Sequence, residues 1–451
     1  MQRKACPFFT LLALGLCLTA LTIYLGYKAE QSEFSGFLLA YGVFFAIYAW
    51  LLFRRPITAE EQRWLVGLGI VLRAVLLFSI PNLSDDFYRF LWDGRLAAQG
   101  IHPFAHPPFF FMENPAHLVG ITPELFQKLN SPQYHTVYPP VCQGVFWLAA
   151  KIFPESISGG VFVLKLFLFA CELGTLAVLA FFSNKQSGAA GNAPVAYALN
   201  PLAILEITGN GHFEGAMLCF LLAGLAALWR GRLLWGALFW ALAVASKLVP
   251  LLFLPIVLAW LGWRAGLRFV GLFTLFCAAL FLPLLDLEIL ANMAASLNLY
   301  FRQFAFNASG YYLLKAVGKA IAPPTLDIGR TLGPILGAVV FLGVLALAFF
   351  RRKKNDDGLA EKCLLASALY LALATTVHPW YIVLPFGLGL LTRWQFPLVW
   401  TAAAALSYSH YASGGFQENY GLIALEYTLV TAFAAWEFFN APQIFTDSQV
   451  F

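Results

Sequence analysis

Val141-Cys142-Gln143-Gly144-Val145-Phe146-Trp147-Leu148-Ala149-Ala150-Lys151-Ile152-Phe153 is the stretch on which the reading of the whole chain turns. It is apolar, and if it crossed a bilayer it would invert every segment that follows. At well below the roughly 20 residues that span a bilayer, and entered through Pro139-Pro140, it reads instead as a re-entrant or interfacial piece. Apolar stretches of spanning type lie at about 8–27, 36–53, 64–81, 161–182, 194–208, 213–229, 233–247, 249–262, 267–285, 331–350, 363–377, 381–391, 396–411 and 421–439, and the stretch at 381–391 reads as a half-helix lining a cavity. With Val141–Phe153 left out, alternation puts Arg3 and Lys4, Arg54/Arg55/Arg63, Lys185, Arg230/Arg232, Arg264/Arg268, Arg351 to Lys354 and Arg393 all on one side, as expected if basic residues mark the cytoplasm. The sequence therefore predicts an all-α polytopic membrane protein of about 13–14 transmembrane helices.

Composition supports this. Of 451 residues, 60% are hydrophobic and only 11% charged, against roughly 25% charged in soluble domains. A water-soluble enzyme is excluded, and the net charge of +5 reflects basic cytoplasmic loops rather than a nucleic-acid partner. The seven cysteines show no paired or metal-ligand spacing and read as small core residues. No cleavage pattern follows the first apolar run, which reads as a retained helix. The expected organisation is an N-terminal helix pair over 1–63, a catalytic membrane unit over 64–439 and a cytoplasmic tail over 440–451. Two large external loops, 82–160 and 286–330, carry the non-membrane chemistry, the first of them with interfacial helices.

All seven histidines, His102, His106, His117, His135, His212, His378 and His410, fall on that external side. The first external loop opens with Ser84-Asp85-Asp86-Phe87-Tyr88-Arg89-Phe90-Leu91-Trp92-Asp93-Gly94-Arg95. Helical spacing puts Phe87, Phe90, Leu91 and Gly94 on one face and Asp86, Arg89 and Asp93 on another, an amphipathic helix that Ser84 can cap. One reading makes Asp85 and Asp86 complements of the helix dipole, with Arg89 as ion-pair partner. The other makes them a partly desolvated pair in which one pKa rises to give a base, or which binds a divalent cation such as Mg or Mn.

Further on, Gly100-Ile101-His102-Pro103-Phe104 and Tyr138-Pro139-Pro140 are proline-stiffened aromatic turns, and Asn200-Pro201 opens a segment ending in Gly209-Asn210-Gly211-His212-Phe213-Glu214-Gly215. Glu206 is an acid inside a span, a functional candidate because such a charge is costly there. Lys247 stands at the external end of a hairpin, the wrong side for a topology-setting lysine, and suits either a phosphate or snorkelling. His378-Pro379-Trp380-Tyr381 begins a span on the same face. Asn82-Leu83-Ser84 and Asn307-Ala308-Ser309 are formal glycosylation sequons.

Asp86-Phe87-Tyr88-Arg89-Phe90-Leu91-Trp92-Asp93-Gly94 with Gly100-Ile101-His102-Pro103-Phe104, followed in order by Tyr138-Pro139-Pro140, Asn200-Pro201, Gly211-His212, Lys247 and His378-Pro379-Trp380-Tyr381, resembles the GT-C superfamily of integral-membrane glycosyltransferases, above all its bacterial polyprenyl-phosphate-mannose-dependent mannosyltransferases. His102 and Phe104 stand where Asn and Tyr are common in that group. The resemblance covers about Leu65 to Leu390. It implies an acidic base in the first external loop, Asp86 or its neighbour Asp85, acting on an acceptor hydroxyl that displaces the polyprenyl phosphate from the sugar with inversion. The departing phosphate then calls for positive groups, for which Lys247, His378, Arg89 and His212 are the candidates. Tyr88, Trp92, Asp93, His102, Tyr138, Glu206, Glu214, Trp380 and Tyr381 are the candidate substrate contacts, with Phe104 a further ring. If a metal takes part, Asp85 and Asp86 are its expected ligands. The implied partners are a polyprenyl-phosphate sugar donor, with mannose favoured, a lipid or glycan acceptor and membrane lipids. The implied place is a bacterial inner membrane with a periplasmic active site. A secondary transporter or lipid-linked glycan flippase is the alternative, although it would place its polar groups near the bilayer midplane.

Overall fold

A computed structural model describes residues 8–54, 57–114, 117–183, 192–284, 292, 305–321, 323, 327–349, 358–412 and 415–444. Arg3, Lys4, Cys6, Arg55, Lys185, Arg351 to Lys354, about half of residues 286–330 and the end of the tail lie outside them. The described residues are helical, and their one extended pairing is a parallel bridge between Phe306 and Thr376.

The chain starts with α1 (Phe8–Tyr27), α2 (Phe34–Phe53) and α3 (Ala59–Leu76). Thr58 and Glu61 form a capping box that starts α3, satisfying two amides that a helix start leaves open. The segment between α3 and the next long helix holds α4 (Asp86–Ala98), α5 (Pro108–Glu113), α6 (Pro123–Phe126) and α7 (Pro140–Ile152). The long α8 (Ile157–Ser183) returns through the bundle, and α9 (Ala193–Ala198) and α10 (Pro201–Ala203) follow, the latter running into a π-turn at Ile204–Gly209. Next come α11 (Glu214–Trp229), α12 (Leu233–Ser246), α13 (Leu254–Leu261) and α14 (Trp263–Phe281). The remainder is α15 (Gly310–Ile321), α16 (Ile328–Phe349), α17 (Leu359–Leu373), α18 (Val383–Gly389), α19 (Phe396–Ala403) and α20 (Tyr420–Ile444).

Among the described residues six helices are long and apolar enough to cross a membrane, or seven spans if Pro201–Gly209 and Glu214–Trp229, bent by 113°, count as one. The other expected spans appear as shorter pieces. Prolines at the starts of α9, α10, α18 and α19 mark most of the breaks, since proline is tolerated in a first turn and not beyond it. Broken helices are tolerated at membrane depth when protein surrounds them, and α9, α10 and α18 are buried throughout.

The deciding stretch is the single helix α7. Its 13 residues are too few to span a bilayer. It buries Cys142, Phe146, Ala149 and Ala150 while Trp147, Leu148 and Ile152 stay exposed. The structure corrects the expectation that α4 lies amphipathically on an interface, because both of its faces are covered: Arg89 and Asp93 are as buried as Phe87 and Phe90. Gly94 permits the closest approach, as a Cβ there would lie 2.2 Å from the Phe146 carbonyl oxygen. Trp92, Phe111, Leu125 and Leu129 form a small apolar core that roofs the other side.

Inside the bundle two basic side chains fix the helices that present the site. Arg73 pairs with Glu172 at 2.5 Å and donates to the Ala198 carbonyl at 2.5 Å, joining α3, α8 and α9. Lys165 donates to the carbonyls of Leu76 at 3.0 Å and Ser79 at 2.6 Å and to the Ser79 hydroxyl at 2.7 Å. It thereby occupies acceptors that the end of α3 leaves open and holds the turn that leads to Asp85.

Candidate active site

Asp85 is the N-cap residue of α4, and Asp86 is its first helical residue. The Ser84 hydroxyl accepts from the Asp86 amide at 3.4 Å, so Ser84 meets the helix start beside the N-cap rather than as the N-cap itself. The Asn130 side chain, arriving from the loop after α6, donates to both carboxylates, to Asp85 at 3.0 Å and to Asp86 at 2.8 Å. Burial and the neighbouring Asp85 push the Asp86 carboxyl up to about 6, against the opposing pull of Asn130 and Lys247. Asp85 is also raised, by burial. A carboxyl tuned to that range is ionised near neutral pH yet basic enough to take a proton.

Lys247, just past the end of α12, pairs with Glu214, the first residue of α11, at 3.0 Å. Its ammonium lies 5.6 Å from the Tyr138 ring centre and 6.0 Å from that of Tyr381, both within the range of a cation–π contact. A cavity of about 80 Å³ opens here, with Glu214, Lys247, Tyr370 and Tyr381 as its polar lining and Met217, Val249, Leu371 and Leu384 as its apolar lining.

On the neighbouring side three rings stack. Trp380 lies between His212, 3.6 Å away at 13°, and His378, 4.3 Å away at 5°. Burial, Lys247 and His410 pull the His378 ring down to about 3, so it is a neutral imidazole there and Lys247 supplies the positive charge. Glu206 sits behind the stack. It accepts from the Tyr408 hydroxyl at 2.6 Å and from Asn210 at 3.1 Å, and approaches the His212 Nε2 at 3.7 Å. That places Glu206 as a support of the His212 turn rather than at an open surface.

The structure thus gathers Asp85, Asp86, Tyr138, His212, Glu214, Lys247, His378, Trp380 and Tyr381 at one end of the bundle. It places other candidates elsewhere. Arg89 pairs with Asp93 at 2.8 Å and donates to the Tyr134 carbonyl at 3.0 Å, which ties it to the loop that roofs α4. Trp92 and Asp93 are fully buried. The Tyr88 ring is covered by Lys128 at 5.2 Å, and the His102 Nδ1 accepts from the Phe104 amide at 3.3 Å, in the loop that follows α4. Sequence reasoning missed Asn130, Tyr408 and Tyr411, the last within electrostatic reach of Asp85 and Asp86. A lone loop asparagine 44 residues away from its carboxylate carries no sequence signal.

Among the described residues no group of three or more His, Cys, Asp or Glu gathers as a metal site. The adjacent carboxylates of Asp85 and Asp86 are hard oxygen donors of the kind a divalent cation takes, and these two residues would hold one.

Helices of membrane-crossing length packed around one polar end make this an all-α, multi-pass membrane protein, and its similarity to known proteins places it among the glycosyltransferases of the GT-C class. Residues 15–263, more than half of the chain, match the family described as "Alpha-(1->6)-mannopyranosyltransferase, N-terminal domain", and the chain belongs to that family. It is 24% identical over 380 residues to Alpha-(1->6)-mannopyranosyltransferase A of Mycobacterium tuberculosis, covering 79% of this chain and 70% of that protein. It is 27% identical over 265 residues to Alpha-(1->6)-mannopyranosyltransferase B of Corynebacterium glutamicum, covering 54% of this chain and 42% of that protein. The family match includes Asp86 and Lys247 and ends before His378.

Proposed function

We propose that the protein transfers mannose from a polyprenyl-phosphate donor to a hydroxyl of a lipid-linked or glycan acceptor, forming an α(1→6) bond as the names of its relatives describe, on the external (periplasmic) membrane face. The observation that carries this reading is that the buried Asp86 carboxyl lies within electrostatic reach of Lys247, which stands at a cavity with an apolar lining. Asp86 takes the proton of the acceptor hydroxyl as its oxygen attacks the anomeric carbon. The bond from that carbon to the phosphate oxygen breaks, its electron pair goes to the phosphate, and the configuration inverts. The charge that develops on the leaving phosphate is met by Lys247 in a water-poor site, where a positioned cation counts for more than in solution. The neutral imidazoles of His212 and His378 serve as hydrogen-bonding groups, and Tyr138, Trp380 and Tyr381 offer ring faces to sugar or isoprenoid carbons. The apolar part of the cavity suits the first isoprene units of the lipid.

The test is mannose transfer by purified protein in nanodiscs, given a polyprenyl-phosphate mannose donor and a panel of hydroxyl acceptors, with and without EDTA. Transfer that is abolished in Asp86→Asn while the variant remains folded supports the reading, and the EDTA arm decides whether a metal takes part. Failure of the wild-type protein to consume the mannose donor would refute it.

A further inference from the structure

The second external loop comes back to the bundle as a short extended strap, residues 305–309. The Phe306 amide donates to the Thr375 carbonyl at 3.1 Å, and the Val377 amide donates to the Phe306 carbonyl at 2.8 Å. This clips the strap to the segment that ends in His378. The Phe306 ring then packs on His378 at 4.4 Å, on His410 at 5.2 Å and on Tyr411 at 6.0 Å. At the other end, the Ser309 hydroxyl donates to the Ala372 carbonyl at 3.1 Å.

Asn307 holds the strap in this shape. Among the described residues it alone, glycine aside, has a positive φ, 48°, a backbone state that costs energy unless its surroundings enforce it. Asn307 is only 2% exposed, and all its polar groups are engaged. Its amide donates to Glu418 at 3.2 Å, its side-chain NH2 donates to Glu426 at 3.0 Å and its carbonyl accepts from the Tyr427 hydroxyl at 2.9 Å. Its side-chain oxygen lies 3.4 Å from the His410 Nε2. Glu426 in turn accepts from the Trp400 indole at 3.0 Å, so the lock reaches α19 and α20. The Asn307 side-chain nitrogen, formally that of a sequon, is consumed by this network. That of Asn82 is likewise consumed, by the Leu25 and Ala29 carbonyls.

We infer that Asn307 is a positioning residue for the proposed transfer: it locks the strap over the site and, through Phe306, fixes the His378 ring against Trp380 and within reach of Lys247. This rests on the mannosyl-transfer reading for its catalytic consequence but not for its structural one. A strained residue with every polar group paired, placed beside a ring of the site, is what pre-organisation requires.

The experiment compares wild type, Asn307→Gly and the double variant Asn307→Asp/Glu426→Gln in nanodiscs. Glycine keeps the positive φ and removes only the side-chain bonds. The double variant reverses the direction of the Asn307–Glu426 hydrogen bond, and the amide it places on α20 keeps an oxygen for the Trp400 indole. Two readouts are taken: hydrogen exchange of the Phe306 and Val377 amides, and kcat and KM for the donor. In Asn307→Gly the two amides lose protection while α8 and α11 keep theirs, and kcat falls on the order of tenfold or more with donor KM within about twofold. The double variant restores protection and most of kcat. Unchanged exchange in Asn307→Gly overturns the lock, and loosened exchange with unchanged kcat overturns the positioning role. If the wild type consumes no donor, the transfer reading fails while the exchange readout still decides the lock.

Discussion

Asn130 couples two carboxylates through one amide, so the ionisation of Asp86 can be moved in either direction by changing its neighbours. The Asn130 hydrogen bond favours the charged form, and Asp85 disfavours it. Activity that depends on an ionised Asp86 rises with pH through about 6 and is flat above. Asn130→Ala removes a stabilising donor, so the acid limb moves to higher pH; Asp85→Asn removes a like charge, so it moves to lower pH. The pH profile of kcat/KM checks both, and shifts in the same direction would reject Asp86 as the titrating group. At Lys247 the structure adds a competitor, because Glu214 already holds the ammonium at 3.0 Å. Lys247→Ala should weaken donor use by roughly tenfold to a hundredfold, the scale of about 1.5–3 kcal/mol for a charge-assisted hydrogen bond. Donor kinetics equal to wild type would make Lys247 a partner of Glu214 alone. Both residues were legible in sequence because charges at the edge of apolar stretches stand out. Asn130, Tyr408 and Asn307 were not, since each acquires meaning only from a carboxylate or hydroxyl brought to it by distant chain.

At the scale of elements, α4 carries the carboxylates and is held from both sides. The hydrophobic spacing of Phe87, Phe90 and Leu91 was readable. The burial of its polar face was not, because its partners, the Ser131 and Tyr134 carbonyls and the Gln143 side chain, come from a distant loop and from α7. The closest contact in this layer is Gly94 on Phe146, where a Cβ would meet backbone rather than a yielding side chain. Gly94→Ala must therefore push α4 away from α7, at a cost of about 1–3 kcal/mol. It should lower the thermal midpoint in detergent and reduce transfer together, because the same shift displaces Asp86. A wild-type midpoint would mean that α7 can slide without cost. The broken helices were only partly visible. Short apolar runs and their prolines marked breaks, and the sharp bend between Pro201–Gly209 and Glu214–Trp229 falls in the glycine-rich stretch Gly209–Gly215, where Gly211 takes a φ of 83°; the π-turn at Ile204–Gly209 just before it had no local signal.

Across the whole molecule, α3, α12 and α17 each run from the end that carries Arg54 and Glu61, Arg232, or Glu361 and Arg393 to the end where Asp86, Lys247 and His378 meet. Helices that share a lipid solvent gain little from burying apolar surface against one another and must be set by packing and polar contacts, which gives the Arg73–Glu172 pair its weight. Both side chains are fully buried, and the Tyr197 hydroxyl donates to the same carboxylate. Removing the acid strands a guanidinium in apolar surroundings, a loss of about 3–5 kcal/mol when one member of a buried pair is deleted. Glu172→Ala should therefore lower the thermal midpoint by several degrees, and Glu172→Gln, which keeps an oxygen for Arg73, by less. Arg73→Leu/Glu172→Leu removes both charges at once and should recover much of the loss in stability. Its transfer rate should still lag, because Arg73 also holds the Ala198 carbonyl and with it the segment that ends in the His212 turn. Thermal unfolding and transfer measured on the same three variants separate the two roles: a double variant as active as wild type would show that packing alone sets the geometry of the site.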